Sequence, residues 1–77
     1  MPSSPRQRRT KQRAAIESVI RNAERPLSVA EILAEARDRV PTLGQRTVYR
    51  VVAVFEAERY VIAIDYPGQP TRYEWVT

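Results

Sequence analysis

The chain has 77 residues, enough for one small domain whose core is expected to supply only roughly 3–5 kcal/mol of stability. It contains no cysteine and no histidine, which excludes a disulfide framework, a thiolate metal site and the commonest general base. The net charge is +4, with no basic, apolar leader segment and no apolar run of membrane-spanning length, so the sequence predicts a basic, cytoplasmic domain without membrane contact.

Met1 to Arg9 is polar and carries two prolines and two serines, a composition that predicts a disordered basic tail over residues 1–9. The folded domain is then expected over residues 10–77. Ile16, Val19, Ile20 and Ala23 follow the i, i+3, i+4, i+7 template of an amphipathic helix, with Thr10 as its expected N-cap. Arg25-Pro26 closes that helix or its exit loop, because the residue before proline avoids the α region.

Ser28-Val29-Ala30-Glu31 has the form of a capping box, in which Ser28 and Glu31 satisfy each other's backbone donors. Val29, Ile32, Leu33 and Ala36 continue a second helix, and Pro41 closes the segment. Leu43-Gly44 opens a third helix whose apolar stripe is Val48, Val51, Val52 and Phe55. Its valines mildly oppose a helix, but a strand would need period-two alternation, which is absent here. Alternation appears only at Tyr60, Ile62, Ile64, Tyr66 and again at Tyr73, Trp75. The Pro67-Gly68-Gln69-Pro70 turn between these runs predicts a β-hairpin. The fold class is therefore mainly α with a small β-hairpin: a winged helix-turn-helix of three helices and a two-stranded wing.

Charge is unevenly placed along this order. From Met1 to Ala23 six cations face one acid, Glu17, and from Gln45 to Phe55 two arginines face none. The intervening Ser28–Arg39 segment is nearly neutral, with Glu31, Glu35 and Asp38 against Arg37 and Arg39. Two basic patches suit a polyanion. If the valine stripe of the third helix faces the core, its opposite face carries Arg46, Tyr49, Arg50 and Ala53. Arginine bonds bidentately to guanine, tyrosine packs on a thymine methyl or bonds to phosphate, and alanine permits close approach.

These residues resemble the ferric uptake regulator (Fur) family. Thr47-Val48-Tyr49-Arg50 is similar to that family's T-V-Y-R recognition-helix signature, and Arg8-Arg9-Thr10-Lys11-Gln12-Arg13 resembles its R-x-T-x-Q-R opening. Ser28-Val29-Ala30-Glu31-Ile32 looks like the start of its second helix, and Arg72-Tyr73-Glu74 like the R-Y-E that ends its wing. The resemblance implies sequence-specific binding of double-stranded DNA by a transcription regulator. Tyr49 would contact bases, Arg50 base or phosphate, Thr47 the backbone, and Arg8 the minor groove or phosphate. With Arg13 and Arg46 these are the candidate DNA-binding residues.

Departures from the family pattern shape the rest of the expectation. The family's metal-binding histidines and cysteines are missing, so no metal, cofactor or metal sensing is expected. Gly44 stands where serine is usual, which weakens the cap of the third helix. Arg59 occupies a glycine position after that helix, so either the turn differs or strain is tolerated. An enzyme is not expected: Glu31 reads as a cap, Glu56 and Glu58 as solvated helix-end charges, and Glu35–Arg39 as an i, i+4 pair. Tyr66, Tyr73 and Trp75 either pack the wing onto the first helix or offer an edge for a homodimer through the C-terminal hairpin. A winged-helix protein-interaction module, and a single-domain modulator that pairs or competes with longer relatives, stand as the alternative functions.

Overall fold

In the computed structural model, which describes residues 5–76, helix formation begins ahead of Thr10. The first helix, α1, runs Pro5–Asn22. Residues 5–9, expected in the disordered tail, form its opening turns; residues 1–4 of that tail lie outside the described residues. Proline suits the first helical turn because its missing N–H has no partner to lose there. Thr10 is no cap, since its hydroxyl donates to the Arg6 carbonyl at 2.9 Å from inside the helix. Burial on α1 starts only at Ala15 and continues through Ile16 and Ile20, so the basic first half extends beyond the core.

A short strand, β1 (Leu27–Ser28), follows directly after Pro26. The sequence gives no sign of it, because two residues cannot display alternation. β1 exists through its antiparallel partner far along the chain, with Leu27 opposite Tyr73 and Ser28 opposite Arg72. Helix α2 (Val29–Ala36) then starts on the expected capping box. The Glu31 N–H donates to Ser28 Oγ at 3.2 Å, and the Ser28 N–H donates to Glu31 Oε1 at 3.0 Å. Because α2 ends at Ala36, Arg39 belongs to the following turn, and the expected Glu35–Arg39 ion pair is not among those of the described residues. Arg37 braces that turn, its Nε donating to the Leu43 carbonyl at 2.8 Å, and Leu43 is fully buried.

Helix α3 (Gln45–Ala57) has Gly44 as its N-cap, with no side-chain cap hydrogen bond. Val48, Val52 and Phe55 are buried and Val51 packs half-buried against the core, as the stripe requires. Its C-terminus resolves the question raised by Arg59. That residue adopts φ 65°, the left-handed conformation that glycine usually supplies. The Tyr60 N–H reaches the Phe55 carbonyl at 2.8 Å and the Arg59 N–H reaches Glu56 at 3.0 Å, which together make a Schellman motif. Its apolar contact is also present, with the Tyr60 and Phe55 rings edge to face at 6.3 Å. The backbone keeps the turn, and arginine bears the strain.

Strands β2 (Val61–Ile64) and β3 (Arg72–Trp75) form the hairpin, with Val61 opposite Trp75 and Ile64 opposite Arg72. The sheet order is β1-β3-β2, so the two-stranded wing hairpin is joined by β1 on the β3 side and β2 lies at the free edge. One core, built from Ile16, Ile20, Leu27, Ile32, Leu43, Val48, Phe55 and Val61 among others, joins all three helices to the sheet. Trp75 packs edge to face on Phe55 at 5.4 Å and stacks on Tyr60 at 5.5 Å, with the Arg21 guanidinium of α1 over its ring at 5.3 Å. Tyr73 and Trp75 therefore fasten the wing to the helices, whereas Tyr66 is exposed.

Candidate nucleic-acid interface

Because the valine stripe of α3 is turned inward, the helix presents Arg46, Tyr49, Arg50 and Ala53 outward, all exposed. Tyr49 is 54% accessible, unusual for a large aromatic with no apolar role. Thr47 is half-buried, in keeping with a supporting position rather than a reading one. Neither Arg46 nor Arg50 has an ion-pair partner among the described residues, so both guanidiniums stand available to an outside anion. Gly44 leaves the first turn of α3 without a side-chain acceptor, so backbone N–H groups there also face outward.

A cleft of about 360 Å³ opens beside this face. Gln45 and Tyr49 of α3 form one wall, Pro70, Thr71 and Tyr73 of the wing another, and the start of α2 at Ser28–Ala30 its floor. Burial, and then the nearby Glu56, raise the Tyr73 phenol above its ordinary pKa. Gln45 is the first residue of α3 and lies one helical turn before Tyr49 on the same wall.

The other two candidates sit on α1. Arg8 is exposed in the projecting half of the helix, without an ion-pair partner among the described residues. Arg13 is committed elsewhere: it donates to Glu58 at 3.2 Å and lies 5.0 Å from the centroid of the Phe55 ring. Glu58 is thus a tie between α1 and the end of α3, not the merely solvated charge its position suggested. The six candidates fall into two groups, with Arg46, Thr47, Tyr49 and Arg50 on α3, and Arg8 and Arg13 on α1.

Glu31 carries more than its cap. Its carboxylate also accepts from Arg25 at 2.8 Å and from Arg72 of β3 at 2.6 Å. The Ser28 N–H, the Arg25 hydrogen bond and the two positive charges hold its pKa down at about 2, against an ordinary 4.5. The start of α2 and the wing are thereby fixed to one another beside the cleft.

This arrangement of helices and wing has known counterparts. Residues 6–77 match the Ferric uptake regulator family. The chain belongs to that family. No curated protein sequence gives a significant match. Among solved structures, a zinc-bound manganese uptake regulator superposes with a TM-score of 0.81 at 25% identity, over 100% of this chain and 54% of that one. The Helicobacter pylori ferric uptake regulator, described as having three functional metal-binding sites, gives 0.79 at 25% identity over 97% of this chain and 46% of its own. A Campylobacter jejuni peroxide stress regulator shares the fold, with a TM-score of 0.78 at 23% identity over 90% and 50%. The Fur-family chain described here thus spans about half the length of these solved relatives, and its winged-helix fold is theirs.

The family name implies a metal, which these residues do not fit. The 77 residues include neither histidine nor cysteine, and among the described residues no three acidic side chains gather into a group that would hold an ion. Among the described residues, no helix is long and apolar enough to cross a membrane.

Proposed function

We propose that this Fur-family domain is a sequence-specific binder of double-stranded DNA that acts in transcriptional regulation, with α3 lying in the major groove. The observation that carries this reading is the outward face of α3, where Arg46, Tyr49 and Arg50 stand exposed on a helix held from behind by a buried valine stripe. Arginine and tyrosine suit base edges and thymine methyls there. Arg8, on the projecting half of α1, reaches backbone or minor groove beside the footprint, and Arg13 joins it only by leaving Glu58. Thr47 supports the backbone contact. In this reading the contact to DNA is made by side chains of the domain itself, and no metal or cofactor is assigned to it. No catalytic role is proposed: Glu31 and Glu58, the acids tied to cations distant in the chain, serve as structural ties.

One domain of this size buries only about 600–1,000 Å² on DNA, so tight binding calls for a second copy. We assign that pairing to the C-terminal hairpin.

Selection from random duplex DNA, followed by titration of the selected site at several salt concentrations, tests the reading. With about five phosphates neutralised, log K should fall against log salt with a slope of about −4 to −5. A flat response would replace DNA binding by the protein-interaction alternative, since an apolar protein interface barely responds to salt.

A further inference from the structure

The turn after α2 separates Arg39 from the acid that its spacing pairs it with. Because α2 ends at Ala36, Glu35 and Arg39 open onto different hollows. Glu35 lines one with Ala23, Glu24, Arg25 and Leu27, beside the end of α1. Arg39 lines another, of about 340 Å³, with Lys11, Ala14, Ala15 and Val40, beside the middle of α1. Two cations and no acid line this second hollow, and Asp38, next to Arg39 in the chain, is not part of its wall. Lys11 and Arg39 are both exposed, and neither has an ion-pair partner among the described residues. The backbone that carries Arg39 is held in place. The Arg39 and Val40 N–H groups donate to the Ala36 carbonyl at 3.1 and 3.0 Å, and the Arg37 brace to Leu43 closes the turn. A ligand in the hollow therefore has to order only two side chains.

We propose that Lys11 and Arg39 together grip one phosphate of the DNA backbone, between the contact of Arg8 and that of α3. The inference rests on the DNA reading above and extends its footprint. Arg8 stands about two helical turns before Ala15, so it shares the α1 face that floors the hollow. Lys11 follows Arg8 by only about 4.5 Å along the helix axis. On the other side Gly44, the N-cap of α3, lies no more than about 14 Å of chain beyond Val40. A strand held by Arg8 and read by α3 thus has the hollow beside its path. The chemistry of the lining fits such a strand. The lysine is a compact point charge and the arginine a planar fork, both suited to phosphate oxygens. Ala14, Ala15 and Val40 between them offer an apolar floor to the carbon face of a deoxyribose. Neither cation is directed at a base, so the grip positions the domain without selecting sequence.

Methylphosphonate substitution, which removes the charge of one backbone phosphate at a time, tests this on the selected duplex with the 77-residue chain. At one backbone position the parent should lose roughly three- to tenfold in affinity, whereas the chain carrying Lys11→Gln and Arg39→Gln should lose nothing further there. At every other position the two chains should respond alike. The double variant should also bind the unmodified duplex roughly three- to tenfold more weakly, with a salt slope shallower by about one unit and the parent's preferred sequence. Thermal melting should find it as stable as the parent, because both side chains are exposed. A double variant as sensitive as the parent at every phosphate, or one whose preferred sequence changes, would overturn the grip. A parent without salt dependence overturns the DNA reading and the grip with it. A parent that keeps its salt slope but shows no phosphate dependent on Lys11 and Arg39 overturns the grip alone.

Discussion

Arg72 donates to Glu31 at 2.6 Å across 41 positions of sequence, joining the last strand of the wing to the first turn of α2. The same carboxylate caps that turn and pairs with Arg25, and its pKa is lowered to about 2. A lowered carboxylate pKa means that the unfolded chain takes up the proton first. The stabilisation from Glu31 is therefore complete above pH 4.5, falls as the pH drops from there toward 2, and is absent below it. Glu31→Gln should cost about 1 kcal/mol at neutral pH, given the exposure of the site, and should flatten the melting temperature against pH between those limits. Thermal melts of both proteins across acid pH check this; identical slopes would show that the tie contributes nothing.

Tyr49 and Arg50 should control sequence preference, and Arg8 only affinity. Alanine at either α3 position should cost roughly 1–3 kcal/mol of binding and relax the preferred site. Arg8→Ala should weaken binding evenly across sequences and reduce the salt slope by about one unit. DNA titrations on matched and mismatched duplexes separate the two behaviours. All three variants should melt like the parent, because all three side chains are exposed.

Arg13 should behave differently from Arg8 although both lie on α1. It is held by Glu58 and by the face of Phe55, so Arg13→Ala should lower stability by about 1 kcal/mol. Its loss should affect DNA affinity less than the loss of Arg8. Melting and binding measured on both variants give the comparison, and a larger binding defect for Arg13→Ala would show that it leaves Glu58 for phosphate.

The two ends of the Schellman motif should respond in opposite directions. Phe55 is fully buried beneath Trp75 and Tyr60, and Phe55→Ala should cost about 3–5 kcal/mol, comparable to the whole stability of so small a domain. Arg59→Gly relieves a left-handed arginine and should stabilise the fold by about 1 kcal/mol. Chemical denaturation of the two variants reads both effects, and a destabilised Arg59→Gly would mean that the arginine side chain supports the folded chain in a way the turn geometry does not explain.

The sequence by itself determined the three helices, their inward faces, the hairpin and the capping box, because each rests on spacing within a few residues. Val48, Val52 and Phe55 recur at helical intervals, and once they turn inward Arg46, Tyr49 and Arg50 must turn outward. The sequence marked Arg59 as an unusual residue for its turn for the same local reason, and the structure decided that the turn is kept and the strain tolerated. Only the tertiary structure decided what depends on partners distant in the chain. β1 is two residues long and takes its identity from Tyr73 and Arg72; Glu31 meets Arg72, and Arg13 meets Glu58, across more than half the chain. The start of α1 was misplaced because the composition of residues 5–9 reads as a solvated tail, whereas the helix propagates back through them to Pro5 from the packed turns at Ala15 and Ile16.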